Sequence, residues 1–594
     1  MKKLLNGNEA IAWGAVEAGV GLATSYPGTP STEIFTTLAE LAPRFGYHAE
    51  WCVNEKVAFE VAFGAAMTGV RSIVSMKQVG LNVAADPLMT GAYLGVKGGM
   101  VIAVADDPGP HSSQNEQDTR AFGRFAKVPV LDPSSPREAK EMVKQAFEIS
   151  EQYGVPVILR TTTRVAHVGQ DVEVSENRIE TEEGWFRKDP QWVIFPSLAT
   201  VKHGELLKKL EALQGQFEVS NFNLTAEGTG KGVIASGIAY NYFLEAMSSI
   251  GVQVPVLKIG TAFPLPEKII ADFLRNMEEV LILEELDPYL EDEIARIAHK
   301  NEISTLIKGK HTGQAPYVGE YNVDIVRRSL CSFLKINNTE DIPYVLPDLP
   351  GRRPILCAGC PHRASFYALK KAAGKEDMVF TGDIGCYTLG VMPPLEMVDT
   401  CLCMGACINQ AQGIGRADPE RKTVAVLGDS TFFHSGVPGL INAVYNSYPL
   451  TLVILDNNTT AMTGFQPHPG TGQAATGEYR DPVDLEMLIR GCGVKQVETV
   501  DPVRLKESIP VLKESLALDE PSVVILRRPC ANHAKGKRLY IEEEKCKNCK
   551  ICVRDIGCPA IIMESDQKPV ISDSCTGCGL CAEICPFDAV IGRD

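Results

Sequence analysis

The chain has 594 residues, enough for about four domains of ~150 residues each. Apolar residues make up 45% and charged residues 22%, which is typical of packed globular domains and excludes a disordered, collagen-like or small disulfide-stapled protein. The net charge of −16 leaves no basic footprint for nucleic acid or an anionic membrane, so we expect neither as a partner.

The N-terminal residues and the number of cysteines bear on the cellular compartment in which the protein is expected. Asn6, Asn8 and Glu9 interrupt any leader-like apolar run, and no stretch reaches the ~18 apolar residues of a transmembrane helix. We therefore expect a cytoplasmic protein. Thiols stay reduced in the cytoplasm, so the eighteen cysteines favour metal sites over disulfides.

Short β-branched runs alternate with longer helical patterns, which predicts an α/β fold with parallel sheets. In chain order, the predicted strands are residues 73–75, 100–105, 155–160, 232–236, 280–283, 423–427, 451–455 and 522–526. The charged, irregular run 172–222 is interpreted as a connector, as are residues 341–354 and 531–537. Glu284 and Glu285 follow a predicted strand and are expected at a solvated edge or a contact between domains.

The breaks in this pattern give four segments, at residues 1–180, 190–340, 350–530 and 538–594. The first three are predicted to be α/β domains. The fourth is too short for a large core and needs another source of stability.

In the first segment, residues 54–69 place small side chains along a predicted helix. Glu55 stands at the start of this helix. A glutamate in a first turn is also favoured by the helix dipole alone, so the position by itself leaves a structural and a functional interpretation open.

In the third segment, two predicted strands are each followed by oxygen-bearing side chains. Gly428, Asp429 and Ser430 follow one strand, and Asn457 follows the next strand. Ligands bind at such strand ends in parallel sheets, and a glycine lets the backbone approach a diphosphate. The candidate Mg²⁺ ligands are Asp429, Asn457 and the backbone carbonyl of Thr459. Asn458 is the alternative if the ligand positions are shifted along the chain.

The last segment carries two runs of closely spaced cysteines, each ending in Cys-Pro. In each run, three cysteines with two residues between one and the next bind one [4Fe-4S] cluster. The fourth cysteine of the run, the one before proline, binds the neighbouring cluster. The first cluster is assigned to Cys546, Cys549, Cys552 and Cys585, and the second to Cys575, Cys578, Cys581 and Cys558. The segment resembles a bacterial two-cluster ferredoxin, although five residues rather than three precede Cys558. The alternative is a zinc or purely structural site.

The motifs of the first and third segments together resemble those of thiamine diphosphate enzymes, with Ser430 where their motif has glycine. Two further stretches, residues 25–31 and 356–363, narrow the resemblance. Over nearly the whole chain, and in the same order, the sequence resembles the large (alpha) subunit of the indolepyruvate ferredoxin oxidoreductases. These belong to the thiamine diphosphate-dependent 2-oxoacid:ferredoxin oxidoreductases.

The resemblance implies a role for each motif. Glu55 would contact N1′ of the cofactor aminopyrimidine, and Thr29 would face the 2-oxoacid. Gly385, Cys386 and Gly405 would line the cofactor. Segment 1–180 would bind its pyrimidine and segment 350–530 its diphosphate, while segment 190–340 would be a transketolase C-terminal-like domain.

A third cluster is also implied by the resemblance. Related enzymes ligate a cluster near the thiamine with a Cys-x2-Cys, a Gly-Ile-Gly-Cys and a late Pro-Cys. The matching cysteines here are Cys357, Cys360, Cys386 and Cys530. Cys401, Cys403 and Cys407 compete as ligands, and a purely structural role for all of these thiols is the alternative.

The function expected from this resemblance is the oxidative decarboxylation of aryl pyruvates such as indolepyruvate. Coenzyme A would accept the acyl group, and electrons would pass through the clusters to an external ferredoxin. A smaller beta subunit is expected as the partner. Two rival hypotheses are a non-oxidative thiamine decarboxylase or carboligase with structural clusters, and an electron-transfer protein with a vestigial thiamine fold.

Overall fold

The computed structural model describes residues 1–180, 184–336, 349, 351, 353–564 and 567–592. The chain forms two compact units, at residues 1–345 and 346–594. The predicted connector at 341–354 lies mostly outside the described residues. Nowhere in the described ranges is there a helix with the length and apolar character needed to cross a bilayer.

The strands of the first unit form one large, mainly parallel sheet, a second sheet and a small antiparallel pair. Their bounds are β1 Lys2–Leu5, β2 Leu22–Ser25, β3 His48–Trp51, β4 Ser72–Lys77, β5 Met100–Asp106, β6 Val130–Leu131, β7 Val157–Thr162, β8 Gln170–Glu173, β9 Leu224–Ala226, β10 Gly230–Ser236, β11 Val256–Ile259, β12 Thr261–Phe263, β13 Met277–Leu283 and β14 Leu306–Lys308. The seven-stranded order is β12-β6-β7-β5-β4-β2-β3, and the five-stranded order is β14-β13-β10-β11-β9.

Helices connect these strands. They are α1 Gly7–Glu17, α2 Thr32–Phe45, α3 Glu55–Met67, α4 Gln78–Val83, α5 Ala85–Leu94, α6 Arg120–Ala126, α7 Pro136–Tyr153, α8 Thr163–His167, α9 Pro196–Phe217, α10 Gly237–Ile250, α11 Glu267–Arg275, α12 Tyr289–Lys300 and α13 Val323–Leu334. The central strands β4, β5 and β7 are buried along their whole length, as expected for a parallel sheet covered on both faces.

Helix α9 corrects one prediction. Residues 172–222 were expected to be an irregular connector, but 22 of them form this helix. Only Leu206, Leu213 and Phe217 are buried on it. The apolar residues of α9 are spread around the helix rather than along one face, which weakens the helical pattern in the sequence.

A buried ion network links the two larger sheets of the first unit. Arg120, at the start of α6, pairs with Asp118 and with Glu284, whose oxygen lies 2.8 Å from the guanidinium. Glu284 also accepts hydrogen bonds from the backbone N–H groups of Leu290 and Glu291. Of the two expectations for Glu284, the structure therefore supports the contact between domains.

The second unit has a five-stranded parallel sheet with the order β15-β16-β17-β19-β18, and two short antiparallel pairs. Its strands are β15 Met378–Thr381, β16 Lys422–Gly428, β17 Thr451–Asp456, β18 Gln496–Val500, β19 Ser522–Arg527, β20 Leu539–Ile541, β21 Ile561–Met563, β22 Pro569–Ile571 and β23 Val590–Gly592. Its helices are α14 Pro361–Ala373, α15 Ala406–Ala417, α16 Asp429–Thr431, α17 Val437–Tyr445, α18 Leu485–Gly491, α19 Leu505–Ala517, α20 Ile551–Arg554 and α21 Leu580–Glu583.

The C-terminal cysteine segment shares its core with the rest of this unit. Ile556, Ile561, Ile571, Leu580 and Val590 belong to the same buried cluster as the strands of the parallel sheet. The short segment is therefore held partly by packing against its neighbour.

Candidate functional site

In the first unit, the candidate residues gather at one edge of the seven-stranded sheet. Strands β3, β2 and β4 are parallel neighbours, so their C-terminal ends lie side by side. Thr29 lies in the loop after β2, and Glu55 opens the helix that follows β3. The structure thus brings the two predicted catalytic residues to the same edge.

The Glu55 side chain is held in a confined place. Asn54 caps α3 by accepting a hydrogen bond from the Val57 N–H at 2.9 Å, and Glu55 is 6% exposed. Gly80, on α4, stands against the Glu55 carboxylate. A Cβ added at Gly80 would lie 2.6 Å from Oε1 of Glu55, so glycine at this position leaves room for the carboxylate.

Two residues at this edge were missed by sequence reasoning. Lys77 ends β4, and its ammonium donates to the Ser112 carbonyl at 3.1 Å; the Ser112 hydroxyl donates to the Thr29 carbonyl at 3.0 Å. Burial lowers the pKa of Lys77, while the charges of Asp107 and Glu55 act in the opposite direction. A lysine closing a fully buried strand was the signal that could have pointed to it.

Gln78 is the second of these residues. Its amide is buried, and within the described ranges neither its nitrogen nor its oxygen has a hydrogen-bond partner. A buried polar group without a partner costs about 1–3 kcal/mol. The amide therefore marks a place where a polar ligand would be stabilising.

In the second unit, Asp429 and Asn457 follow the neighbouring parallel strands β16 and β17. Both are buried, as are Ser430 and Thr459, whereas Asn458 is exposed. The Asp429 carboxylate accepts from the backbone N–H groups of Ser430 at 2.9 Å and Asn458 at 2.8 Å. The choice between Thr459 and Asn458 as the third candidate ligand stays a prediction.

Charged neighbours surround Asp429. Burial raises its pKa, but His468, with Nε2 at 3.0 Å from Oδ2, lowers it, and the net shift is downward. Burial and the charge of Asp429 raise the pKa of the nearby Asp456 carboxyl. Burial lowers the pKa of His362 to about 4, so a neutral imidazole contacts the Asn457 amide at 3.3 Å.

The predicted cofactor-lining loops meet at Asp383. Its carboxylate accepts from the backbone N–H groups of Gly405 and Cys407, each at 3.0 Å, and so ties the loop before Cys386 to the start of α15. The Tyr387 ring stands where a Cβ at Gly385 or Gly428 would lie, 2.3 and 2.7 Å away respectively. Both glycines are therefore needed for this close approach.

Electrostatic interactions connect the four cysteines predicted for a third cluster. Burial raises the pKa of the Cys360 thiol to about 12, and the charges of Cys386 and Cys357 add to the rise. Burial raises the pKa of Cys386 to about 11, and Cys357 and Cys530 add to it. The competing cysteines form another group, because Asp383 is the main charge acting on Cys401, Cys403 and Cys407.

The C-terminal cysteines also gather in the two predicted sets. Burial, then Cys549, Cys546 and Cys585, raise the pKa of Cys552 to about 11. Burial, then Cys578, Cys558 and Cys575, raise the pKa of Cys581 to about 12. The first set lines a cavity together with apolar side chains such as Ile541 and Val590. Among the residues described, no three His, Cys, Asp or Glu side chains form a group that could hold a metal ion, so the cysteine sets stay predictions from the sequence.

Three family models match the chain. "Pyruvate flavodoxin/ferredoxin oxidoreductase, thiamine diP-bdg" covers residues 13–192, and "Thiamine pyrophosphate enzyme, C-terminal TPP binding domain" covers residues 383–526. "4Fe-4S dicluster domain" covers residues 538–586.

Curated relatives match over the full length. The indolepyruvate oxidoreductase subunit IorA of Methanothermobacter marburgensis is 45% identical over 99% of this chain and 96% of its own. The corresponding subunits of Pyrococcus horikoshii and Archaeoglobus fulgidus are 44% and 42% identical, over 99% of this chain and 96% and 97% of theirs. The chain belongs to this family of indolepyruvate oxidoreductase subunits.

Family membership confirms several predictions. The chain is a subunit of a multisubunit 2-oxoacid oxidoreductase with thiamine-binding α/β domains and a C-terminal iron–sulfur segment. The α/β class, the thiamine diphosphate and the iron–sulfur chemistry predicted from the sequence are correct. The individual residue roles, Mg²⁺ and the number of clusters stay predictions.

The residues present fit a thiamine site on their own chemistry. At the first unit's edge, the unpartnered Gln78 amide and the confined Glu55 carboxylate offer polar groups to an aminopyrimidine. In the second unit, a carboxylate, an amide oxygen and a main-chain carbonyl are the hard donors that Mg²⁺ prefers. Asp429 and Asp456 are two carboxyl groups close enough for the charge of one to raise the pKa of the other, and a cation between them would relieve this repulsion.

Replacing Gly80 with alanine tests the confinement of Glu55. The new methyl group displaces the carboxylate, and a misplacement of this size costs on the order of 10²-fold in turnover. The matched control is Gly64→Ala on α3, where an added Cβ meets nothing within 4 Å. Steady-state turnover should fall in the first variant only, with iron content unchanged in both. Equal turnover of the two variants would contradict the assignment.

Replacing Asp429 with alanine tests the proposed Mg²⁺ site. Loss of a buried anionic ligand should weaken thiamine diphosphate binding by at least ~10-fold and raise sensitivity to EDTA. Asp418→Ala is the control, because Asp418 precedes β16 at the opposite edge of the sheet. Calorimetry of cofactor binding with Mg²⁺ provides the measurement, and unchanged affinity in Asp429→Ala would show that the site is misplaced.

Proposed function

We propose that the chain is the large subunit of an enzyme that oxidatively decarboxylates aryl 2-oxoacids, with indolepyruvate as the expected substrate. Coenzyme A accepts the acyl group, and an external ferredoxin accepts the electrons. Each turnover converts one 2-oxoacid, one coenzyme A and two oxidised ferredoxins into acyl-CoA, carbon dioxide, one proton and two reduced ferredoxins. A smaller beta subunit completes the enzyme.

One observation carries the proposal. The N–H of Cys530 donates to the carbonyl of Asn457 at 3.1 Å, so a proposed cluster ligand is bonded directly to a proposed Mg²⁺ ligand. Cys386 also lies near the proposed diphosphate loop. It follows Gly385, and both Gly385 and Gly428 pack against the ring of Tyr387. A redox centre so near the diphosphate site supports an oxidative rather than a non-oxidative reaction.

The chain's own residues divide the work of binding and proton transfer. Thiamine diphosphate, when bound, supplies a nucleophilic carbon and a sink for the electrons left by carbon dioxide. Glu55 would hold a proton at the aminopyrimidine and so activate the cofactor. Asp429, Asn457 and the Thr459 carbonyl would hold Mg²⁺, and Gly428 and Ser430 would line the diphosphate. Thr29 faces the 2-oxoacid.

Three groups of cysteines would hold the clusters that take up the electrons. The ligands would be Cys357, Cys360, Cys386 and Cys530 for a proximal cluster, with the two C-terminal sets beyond it. A [4Fe-4S] cluster held there would accept one electron at a time, so the two electrons of one decarboxylation would leave in sequence. The shared core of the second unit supports fixed distances between these cysteine groups.

The reaction is tested with the reconstituted complex, indolepyruvate, coenzyme A and a viologen dye. Dye reduction should require coenzyme A and match carbon dioxide release. Glu55→Gln should lower it by ~10²–10⁴-fold, the usual worth of acid–base catalysis, with iron content intact. Carbon dioxide release without dye reduction would support the rival non-oxidative decarboxylase. Absence of both would support an electron-transfer protein.

The third cluster is tested by counting iron in full-length protein purified without oxygen. Three cubanes contain about twelve iron atoms per chain, and Cys386→Ser should reduce the number to about eight. The matched control Cys403→Ser should keep about twelve, because Cys403 belongs to the Asp383 group. About eight irons in the unsubstituted chain would overturn the third cluster.

A further inference from the structure

Arg363 connects two of the cysteine loops. It lies in the first turn of α14, shortly after Cys360, and is 4% exposed. One end of its guanidinium, Nη1, donates to the carbonyls of Ile556 at 2.7 Å and Gly557 at 2.9 Å. The other end, Nη2, donates to the Leu356 carbonyl at 2.6 Å. A single side chain therefore binds the residues just before Cys558 and just before Cys357.

Arg363 has a further donor that this geometry does not use. Its Nε is buried and has no hydrogen-bond partner within the ranges that the structure describes. A buried N–H without an acceptor is unfavourable, and iron–sulfur clusters present sulfur acceptors. The unused donor therefore indicates an acceptor that the protein atoms do not supply.

The groups around Arg363 that oppose the effect of its burial are cysteines. Burial lowers the pKa of Arg363, and Cys558, Cys360, Cys578 and Cys357 act in the opposite direction. A guanidinium keeps its proton in proteins, so Arg363 places a fixed positive charge among these sulfurs. Two of the four cysteines belong to the proposed proximal cluster, and the other two to the second C-terminal cluster.

The same two loops also pack directly on each other. Gly359 has a φ of +71°, and a Cβ there would lie 1.7 Å from the Thr576 hydroxyl and 3.5 Å from Cβ of Cys578. The Thr576 hydroxyl donates to the Ala358 carbonyl at 3.4 Å. The turn between Cys357 and Cys360 is thus in contact with the loop between Cys575 and Cys578.

We propose that Arg363 is a positioning residue for electron transfer between the proximal cluster and the second C-terminal cluster. It fixes their two loops and raises the reduction potential of one or both clusters. A positive charge and N–H donors near sulfur stabilise the reduced, more negative cluster. In the step concerned, one electron leaves the proximal cluster and reduces the C-terminal cluster. No bond forms or breaks, and Arg363 keeps its proton. The inference rests on the proposed third cluster.

The test uses the full complex and replaces Arg363 with glutamine or lysine. Redox titrations followed by electron paramagnetic resonance give the potential of each cluster. In Arg363→Gln, at least one of the two neighbouring clusters should shift to a more negative potential, while the cluster of Cys546, Cys549, Cys552 and Cys585 should not. Arg363→Lys keeps the charge and should shift less. The rate of dye reduction should fall in Arg363→Gln with the KM for the 2-oxoacid unchanged.

The control is Arg554→Gln, which removes an exposed arginine from the same unit. Solvent screens this charge, so all potentials should stay at their values in the unsubstituted protein. Arg363→Gln with full iron content and unchanged potentials would overturn the proposal.

A measurement on the unsubstituted protein covers the case in which Arg363→Gln does not hold its clusters. When fully reduced, the proximal and second C-terminal clusters should show magnetic coupling in addition to the coupling between the two C-terminal clusters, and Cys386→Ser should abolish only this additional coupling. A chain with about twelve irons in which only the two C-terminal clusters are coupled would overturn the proposal. About eight irons would overturn the third cluster instead, so iron content separates the two failures.

Discussion

The parallel alignment of four strands in the second unit is the constraint on which the proposed site depends. Strands β15, β16, β17 and β19 are consecutive neighbours, so their C-terminal ends form one edge. Cys386, Asp429, Asn457 and Cys530 each follow one of these ends. The same sheet therefore brings the proposed cofactor ligands and the proposed cluster ligands to one edge, although they are far apart along the chain.

The packing of the C-terminal segment extends this arrangement to the other clusters. Its apolar side chains join the core of the parallel sheet, and Arg363 ties the loop of Cys558 to the loop of Cys357. A ferredoxin joined by a flexible linker would have no fixed distance to the thiamine loops. Packing and hydrogen bonds provide this distance here, which suits transfer of single electrons.

The sequence predicted those parts of the site whose residues lie close together along the chain. The C-terminal cysteine sets and the strand-end positions of Asp429 and Asn457 follow from patterns within a few residues. Lys77, Gln78 and Arg363 were missed because their importance depends on partners distant in the chain, such as Ser112 and Ile556. Helix α9 was missed because its apolar residues do not line up along one face of the helix. Pairing of Glu284 with Arg120 likewise depends on tertiary folding.

The central claim is that electrons from the 2-oxoacid enter clusters held by this chain. Rapid mixing of the anaerobic, oxidised complex with indolepyruvate and coenzyme A, followed by freezing and electron paramagnetic resonance, tests it most directly. The account predicts that signals of reduced [4Fe-4S] clusters appear within a single turnover, before any external acceptor is added. Release of carbon dioxide while every cluster stays oxidised would contradict it.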